Sequence, residues 1–111
     1  MLTGETRESA LARLGRALAD PTRCRILIAM VDGVSYPGQL AVKLGLTRSN
    51  VSNHLSCLRG CGLVVATYEG RQVRYALADA HLARALSELV QVVLAVDTDE
   101  PCVDDVVEVA E

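Results

Sequence analysis

The stretch LAVKLGLTRSNVSNHLSCLRGCGLV, residues 40–64, decides how this chain folds. Leu40, Ala41 and Leu44 give a short helix one apolar face, and Gly45 ends it. Leu46 bridges to Thr47, whose hydroxyl can cap a second helix over residues 48–60. A short helix, a glycine turn and a capped helix make the pattern of a helix-turn-helix.

On a helical wheel of the second helix, at ~100° per residue, Val51, Leu55 and Leu58 share one narrow arc and face a core. Ser49, Asn53 and Ser56 occupy the opposite pole, with Asn50 beside them. A merely solvated face would carry longer Glu and Lys side chains, and residues 48–61 hold neither. Small polar and amide side chains suit base edges in a major groove, where Asn bonds adenine at two points. Ser49, Asn50 and Asn53 are therefore expected to read bases, with Arg48 on phosphate and His54 grouped with this surface.

Working outward, helices are expected at about 6–18 and 22–32, the second led by Asp20 as cap and Pro21 at its first position. Within RCRILIAM, positions 24, 27, 28 and 31 read as one buried stripe, with Cys24 as a small core hydrophobe. Downstream, LVVAT and QVRYALA are β-prone runs flanking YEGR, where Gly70 supplies a hairpin turn. Arg71 and Arg74 sit at and just beyond the tip, placed to meet phosphate backbone as a wing. Residues 79–96 have helical period, and Leu82, Leu86, Leu89, Val90, Val93 and Leu94 form a broad apolar stripe that fits a subunit interface. The expected fold is mainly α with a β-hairpin wing, a winged helix-turn-helix that forms a homodimer. Residues 1–96 form the DNA-binding and dimerisation domain and 97–111 an acidic tail.

Charge supports this division. Lys43, Arg48, Arg59, Arg71 and Arg74 face the single acid Glu69 over residues 43–75, a local balance of +4. Residues 97–111 carry seven acids and no basic residue, although the whole chain is only −3. A basic middle implies a polyanion partner and the tail a solvated appendage. Double-stranded DNA is the expected partner, and a two-fold dimer would make its operator an imperfect palindrome.

At 111 residues the chain is one domain of a size where pairing with a second copy commonly helps. Tyr36, Tyr68 and Tyr75 are its only aromatics, so the core is aliphatic. No apolar run is long enough to cross a bilayer, and MLTGETRESALARLGRALADP lacks a signal-peptide pattern. The expected location is the cytoplasm, where cysteines are more often metal-binding or reactive than disulfide-bonded. Two distant histidines and no phosphate-cradling glycine loop assemble no active site, so an enzyme is not expected.

Cys57 and Cys61 fall on neither pole of the recognition helix but share its flank with Asn50 and His54. At i and i+4 their Cβ atoms should lie roughly 5–6 Å apart, close enough to chelate one ion. A disulfide needs a shorter separation and would strain the helix. Two thiols do not complete a site. Cys102, in the acidic tail after Pro101, is the available third ligand, with His54 and the tail carboxylates as possible supplements. Three thiolates make a soft set better suited to large soft cations than to tetrahedral zinc.

ALADPTRCRIL, LAVKLGLTRSNVSNHLSCLRGCGLV and YEGRQVRYAL together resemble the ArsR/SmtB family of winged-helix metal-sensing repressors, over roughly residues 10–95. Cys57, Cys61 and Cys102 are similar in placement to the ligands of the family's cadmium/lead sensors. The resemblance implies a homodimer that represses a metal-efflux operon and leaves its operator when Cd(II) or Pb(II) binds. It also implies that Cys102 of one protomer completes the site on the other's recognition helix. Two other family sites are excluded. SYPGQLAVKL has no cysteine for the arsenic-sensor pair. The zinc-sensor site opens with Asp79 and His81 but meets Val92 and Ala95 where its second ligand pair belongs. A thiol-redox repressor, with Arg59 lowering a neighbouring thiol pKa, and an arsenic(III) sensor are the rival readings.

Overall fold

A computed structural model of the chain describes residues 6–95. Cys102 and the acidic residues 97–111 lie outside that range.

Five helices and one hairpin follow in the expected order among the described residues, and the starts of α1, α2, α4 and α5 are each set by a local side chain. Helix α1, Arg7–Leu18, begins where Thr6 accepts a hydrogen bond from the Ser9 N–H at 3.0 Å. Helix α2, Pro21–Val31, begins where Asp20 accepts from the Thr22 N–H at 2.8 Å, with Pro21 at its first position. Helix α3, Pro37–Leu44, stops at Gly45, whose φ of +69° is the left-handed conformation that glycine adopts without steric cost. The Leu46 N–H bonds back to the Ala41 carbonyl at 2.9 Å and closes the turn. Helix α4, Arg48–Gly60, is capped by Thr47, which accepts from the Asn50 N–H at 3.0 Å.

Strands β1, Val64–Glu69, and β2, Gln72–Leu77, pair antiparallel around Gly70, with Thr67 opposite Arg74 and Glu69 opposite Gln72. Helix α5, Ala80–Ala95, starts where Asp79 accepts from the Leu82 N–H at 2.9 Å. These elements form a winged helix-turn-helix.

Ile26, Leu27, Leu40, Val51, Leu55, Leu58 and Val64 are the largest side chains sealed from solvent. Three of them come from α4 and anchor that helix in the core. Truncating Leu55 to alanine would cost about 2–5 kcal/mol by the usual cavity penalty.

The stripe expected on α2 needs correction. Leu27 is buried, but Ile26, Ala29 and Met30 complete the core while Ile28 stays 46% exposed and Cys24 only half-buried. The reason is that α2 packs against α1, α3, α4, α5 and β2, so its covered surface is wider than a single stripe. The stripe on α5 is divided as well: Leu86 belongs to the monomer core, whereas Leu89, Val92 and Val93 remain open. With Leu18, Cys24, Leu27 and Ile28, residues Leu86, Leu89, Val90 and Val93 line an apolar cleft of about 240 Å³. An exposed apolar face of this kind is what a dimer interface covers.

Candidate functional site

Helix α4 carries both halves of the candidate site. Val51, Leu55 and Leu58 anchor it in the core, and Ser49, Asn50, Asn53 and Ser56 are all exposed, as the wheel requires. No acidic residue stands on that face. Arg48, at the first position, lies across the opening turn of α3: a Cβ at Gly38 would stand 2.6 Å from its Nη2 atom. The glycine leaves the space in which this guanidinium rests.

Between the starts of α3 and α4 and the inner strand of the wing runs an open groove, to which Gln39, Arg48, Ser52, Arg71 and Gln72 contribute polar groups. Two guanidiniums and several neutral donors along one concave edge suit a phosphate backbone. Ser52 and Gln72 were missed by the sequence reading. Ser52 sits one residue from Asn53 on the exposed side of α4, so the wheel held that signal; Gln72 is brought in by the tertiary placement of the wing.

The two wing arginines differ. Arg71 is exposed at the tip. Arg74 donates through Nε to Glu69 Oε2 at 2.8 Å, and the Tyr36 hydroxyl donates to Glu69 Oε1 at 2.8 Å. The bond from Arg74, and after it the one from Tyr36, hold the Glu69 carboxyl below the usual carboxylate range. The same bond to Glu69 pushes the Tyr36 phenol up. Arg74 is thus engaged within the wing.

His54 departs from the expected surface. Its side chain is 19% exposed, and Nδ1 lies 3.8 Å from Asp20 Oδ2 at the start of α2. Asp20 in turn is held below the ordinary carboxylate range, first by the Thr22 N–H and further by Arg23 and His54, against the opposing effect of burial. His54 therefore joins the recognition helix to the cap of α2, on the other side from the groove.

The cysteine pair sits at the far end of the same helix. Cys57 is exposed, and Cys61 is half-buried at the C-cap, resting against the core. The Cys61 N–H donates to the Cys57 carbonyl at 3.0 Å, so one full helical turn separates the two thiols. The Arg13 guanidinium of α1 donates to the Cys61 carbonyl and ties down this turn. Cys24 lies elsewhere, its thiol donating to the Leu18 carbonyl at 3.0 Å beside the apolar cleft. Among the described residues no three His, Cys, Asp or Glu side chains converge as a metal site. Asp79, which opens the zinc-type site, is used as the cap of α5, and Val92 is exposed at the other end. No helix among the described residues is long and apolar enough to cross a membrane.

Residues 20–65, the segment holding α2, α3 and α4, match the family model "Bacterial regulatory protein, arsR family". The chain is 89% identical over 103 residues, 93% of its own length and 87% of the relative's, to the HTH-type transcriptional regulator CmtR of Mycobacterium tuberculosis. An NMR structure of the cadmium metal-sensor CMTR from that organism superposes with a TM-score of 0.66 at 90% identity, covering 83% of this chain and 96% of that one. The homodimeric winged helix-turn-helix DNA-binding domain Mb0332 of Mycobacterium bovis superposes with a TM-score of 0.71 at 31% identity, covering 85% and 91%. The first of these is a transcriptional regulator, the second a cadmium metal-sensor and the third a possible ArsR-family transcriptional regulator. With identity of this extent over nearly all of both chains, and the family model falling on the helix-turn-helix, this chain belongs to the arsR family of bacterial regulatory proteins.

Proposed function

We propose that the chain is a repressor that binds an imperfectly palindromic operator as a homodimer and releases it when Cd(II) or Pb(II) binds Cys57, Cys61 and Cys102. One observation carries this reading: the thiol pair stands on the helix whose exposed face holds Ser49, Asn50 and Asn53, with Cys57 one turn past Asn53.

The donor chemistry fits. Cys57 and Cys61 are free thiols within one helical turn, with Cys57 open to solvent. Thiolates favour soft ions, and Cys102 makes the set three-coordinate. A bound soft ion would supply a crosslink among these sulfurs.

What the chain's own residues do follows from the end of α4. Gly60 and Gly62 flank Cys61, and Gly62 already has a φ of +80°. Glycine contributes little helix preference, so this end is held chiefly by the Arg13 bond to the Cys61 carbonyl and by the contact of Cys61 with the core, and ligation that shifts Cys61 strains both. Engaging Cys57 and Cys61 loads that turn and moves Asn53, one turn earlier, relative to the groove. Capture of Cys102 brings the seven acids of residues 97–111 toward a surface suited to phosphates. Driving a repressor from almost wholly bound to almost wholly free needs about 5.5 kcal/mol of differential affinity. Structural zinc sites contribute about 10–16 kcal/mol in total, so a thiolate site supplies that difference if about a third to a half of its affinity is forfeited while the helix is held on DNA.

The test is operator affinity under strict reduction with and without each metal. Release with cadmium or lead, together with a 1:1 thiolate charge-transfer band, supports the proposal. Release by peroxide alone replaces it with the thiol-redox reading, and release by arsenite alone with the arsenic reading.

A further inference from the structure

We propose that Glu69 is a positioning residue for DNA binding: by accepting from Tyr36 and Arg74 at once, its carboxylate locks the wing to the entrance of the helix-turn-helix and sets where Arg71 meets the phosphate backbone. This rests on the proposed phosphate role of Arg71.

Glu69 is out of place on simple electrostatics. It is the one acid among residues 43–75, and it stands two residues from Arg71 on the element that should approach a polyanion. A free carboxylate there would repel phosphate. Both of its oxygens are instead bonded: Oε1 to the Tyr36 hydroxyl and Oε2 to Arg74 Nε, each at 2.8 Å.

The two partners come from different elements. Arg74 is on β2, across the hairpin from the Glu69 strand. Tyr36 is the residue that caps the start of α3, yet its side chain makes no capping bond and reaches the wing instead, 33 residues along the chain. Next to it, the Ser35 carbonyl accepts from the Tyr75 N–H at 2.8 Å. Residues 35 and 36 thus hold both strands of the hairpin.

A two-stranded hairpin is marginal by itself and takes its orientation from what it packs on. The Tyr36–Glu69–Arg74 bridge fixes the base of the Gly70–Arg71 tip in the unbound protein. Arg71 then reaches phosphate without first ordering the wing, which is the advantage of preorganisation.

The experiment uses the full chain and a duplex that the parent protein selects from a random-sequence pool. Affinity is measured over a salt series for the parent, Glu69→Ala, Glu69→Gln, Tyr36→Phe and Arg71→Ala, with thermal melts to show that each is folded. Positioning predicts that Glu69→Ala binds roughly fivefold to tenfold more weakly although a negative charge is removed. Its salt slope should fall by about 0.9, the value of one phosphate contact. Glu69→Gln, equally neutral but still an acceptor, should fall between Glu69→Ala and the parent. Tyr36→Phe, which changes no charge, should weaken binding several-fold by the value of one hydrogen bond. Equal or tighter binding by both Glu69 variants overturns the proposal, because that is the result of charge removal alone. Parent-like affinity and salt slope in Tyr36→Phe overturn it too, and this variant decides the matter if the Glu69 variants unfold. If Arg71→Ala keeps the parent's salt slope, the wing contact itself is absent and the underlying reading fails, a result distinct from failure of the bridge.

Discussion

The Cys61 N–H donates to the Cys57 carbonyl at 3.0 Å, so the two thiols ride on one helical turn that begins within the recognition helix and ends at its C-cap. One side of that turn is core and the other is solvent, with Cys61 half-buried and Cys57 exposed. Anything that draws the two sulfurs together must act on α4 itself. That is the link between the thiols and the exposed polar face of Ser49, Asn50 and Asn53.

The exposed face of α4 should carry sequence preference and the wing should carry charge. Asn53→Ala is expected to weaken specific binding by about 1–3 kcal/mol and blur base preference. Arg71→Ala should weaken binding uniformly and lower the salt slope by about 0.9. Titrations against matched and mismatched duplexes separate the two; equal losses on both duplexes for Asn53→Ala would remove it from base reading.

The dimer is best tested at Val93 rather than Leu86. Leu86 is 7% exposed within the monomer core, so a charge there would unfold the chain, whereas Val93 is 60% exposed on the open apolar face. Val93→Glu should give folded monomers, seen by sedimentation, that lose operator affinity. A folded dimer of parent affinity would assign that face another role.

Much of this was legible beforehand because it is written in local signals. Asp20 before Pro21, Gly45 after Leu44, Thr47 before Arg48 and Gly70 between two β-prone runs each mark a boundary that the structure keeps. The wheel of α4 was readable since one face alone is covered. It failed for α2, whose covered surface is wider than a single stripe, and for His54, whose partner Asp20 is an N-cap of another helix. The Tyr36–Glu69 bond left no trace in spacing, because it depends on how the wing folds back on the start of α3.

Acid should loosen the wing and the start of α2 before it harms the core. Glu69 is held below the ordinary carboxylate range by Arg74 and Tyr36, and Asp20 by the Thr22 N–H above all. A carboxyl depressed in the folded state adds stability that is complete above its unfolded pKa and disappears as pH falls through the folded one. Thermal melts of the parent and Glu69→Gln should therefore differ at neutral pH and converge as pH drops below about 4, where carboxylates protonate. A gap that stays constant into acid would mean that the Glu69 charge plays no part in stability.

In the proposed mechanism metal acts through the thiols on α4. The most direct measurement is cadmium-dependent release of operator DNA by the Cys57→Ser, Cys61→Ser double variant, beside Cys24→Ser and Cys102→Ser. The double variant should bind DNA like the parent and keep it when cadmium is added. Cys24→Ser should respond as the parent does, since its thiol bonds the Leu18 carbonyl away from α4, and Cys102→Ser should respond weakly. Cadmium-dependent release that survives in the double variant would mean that the ion acts at other residues.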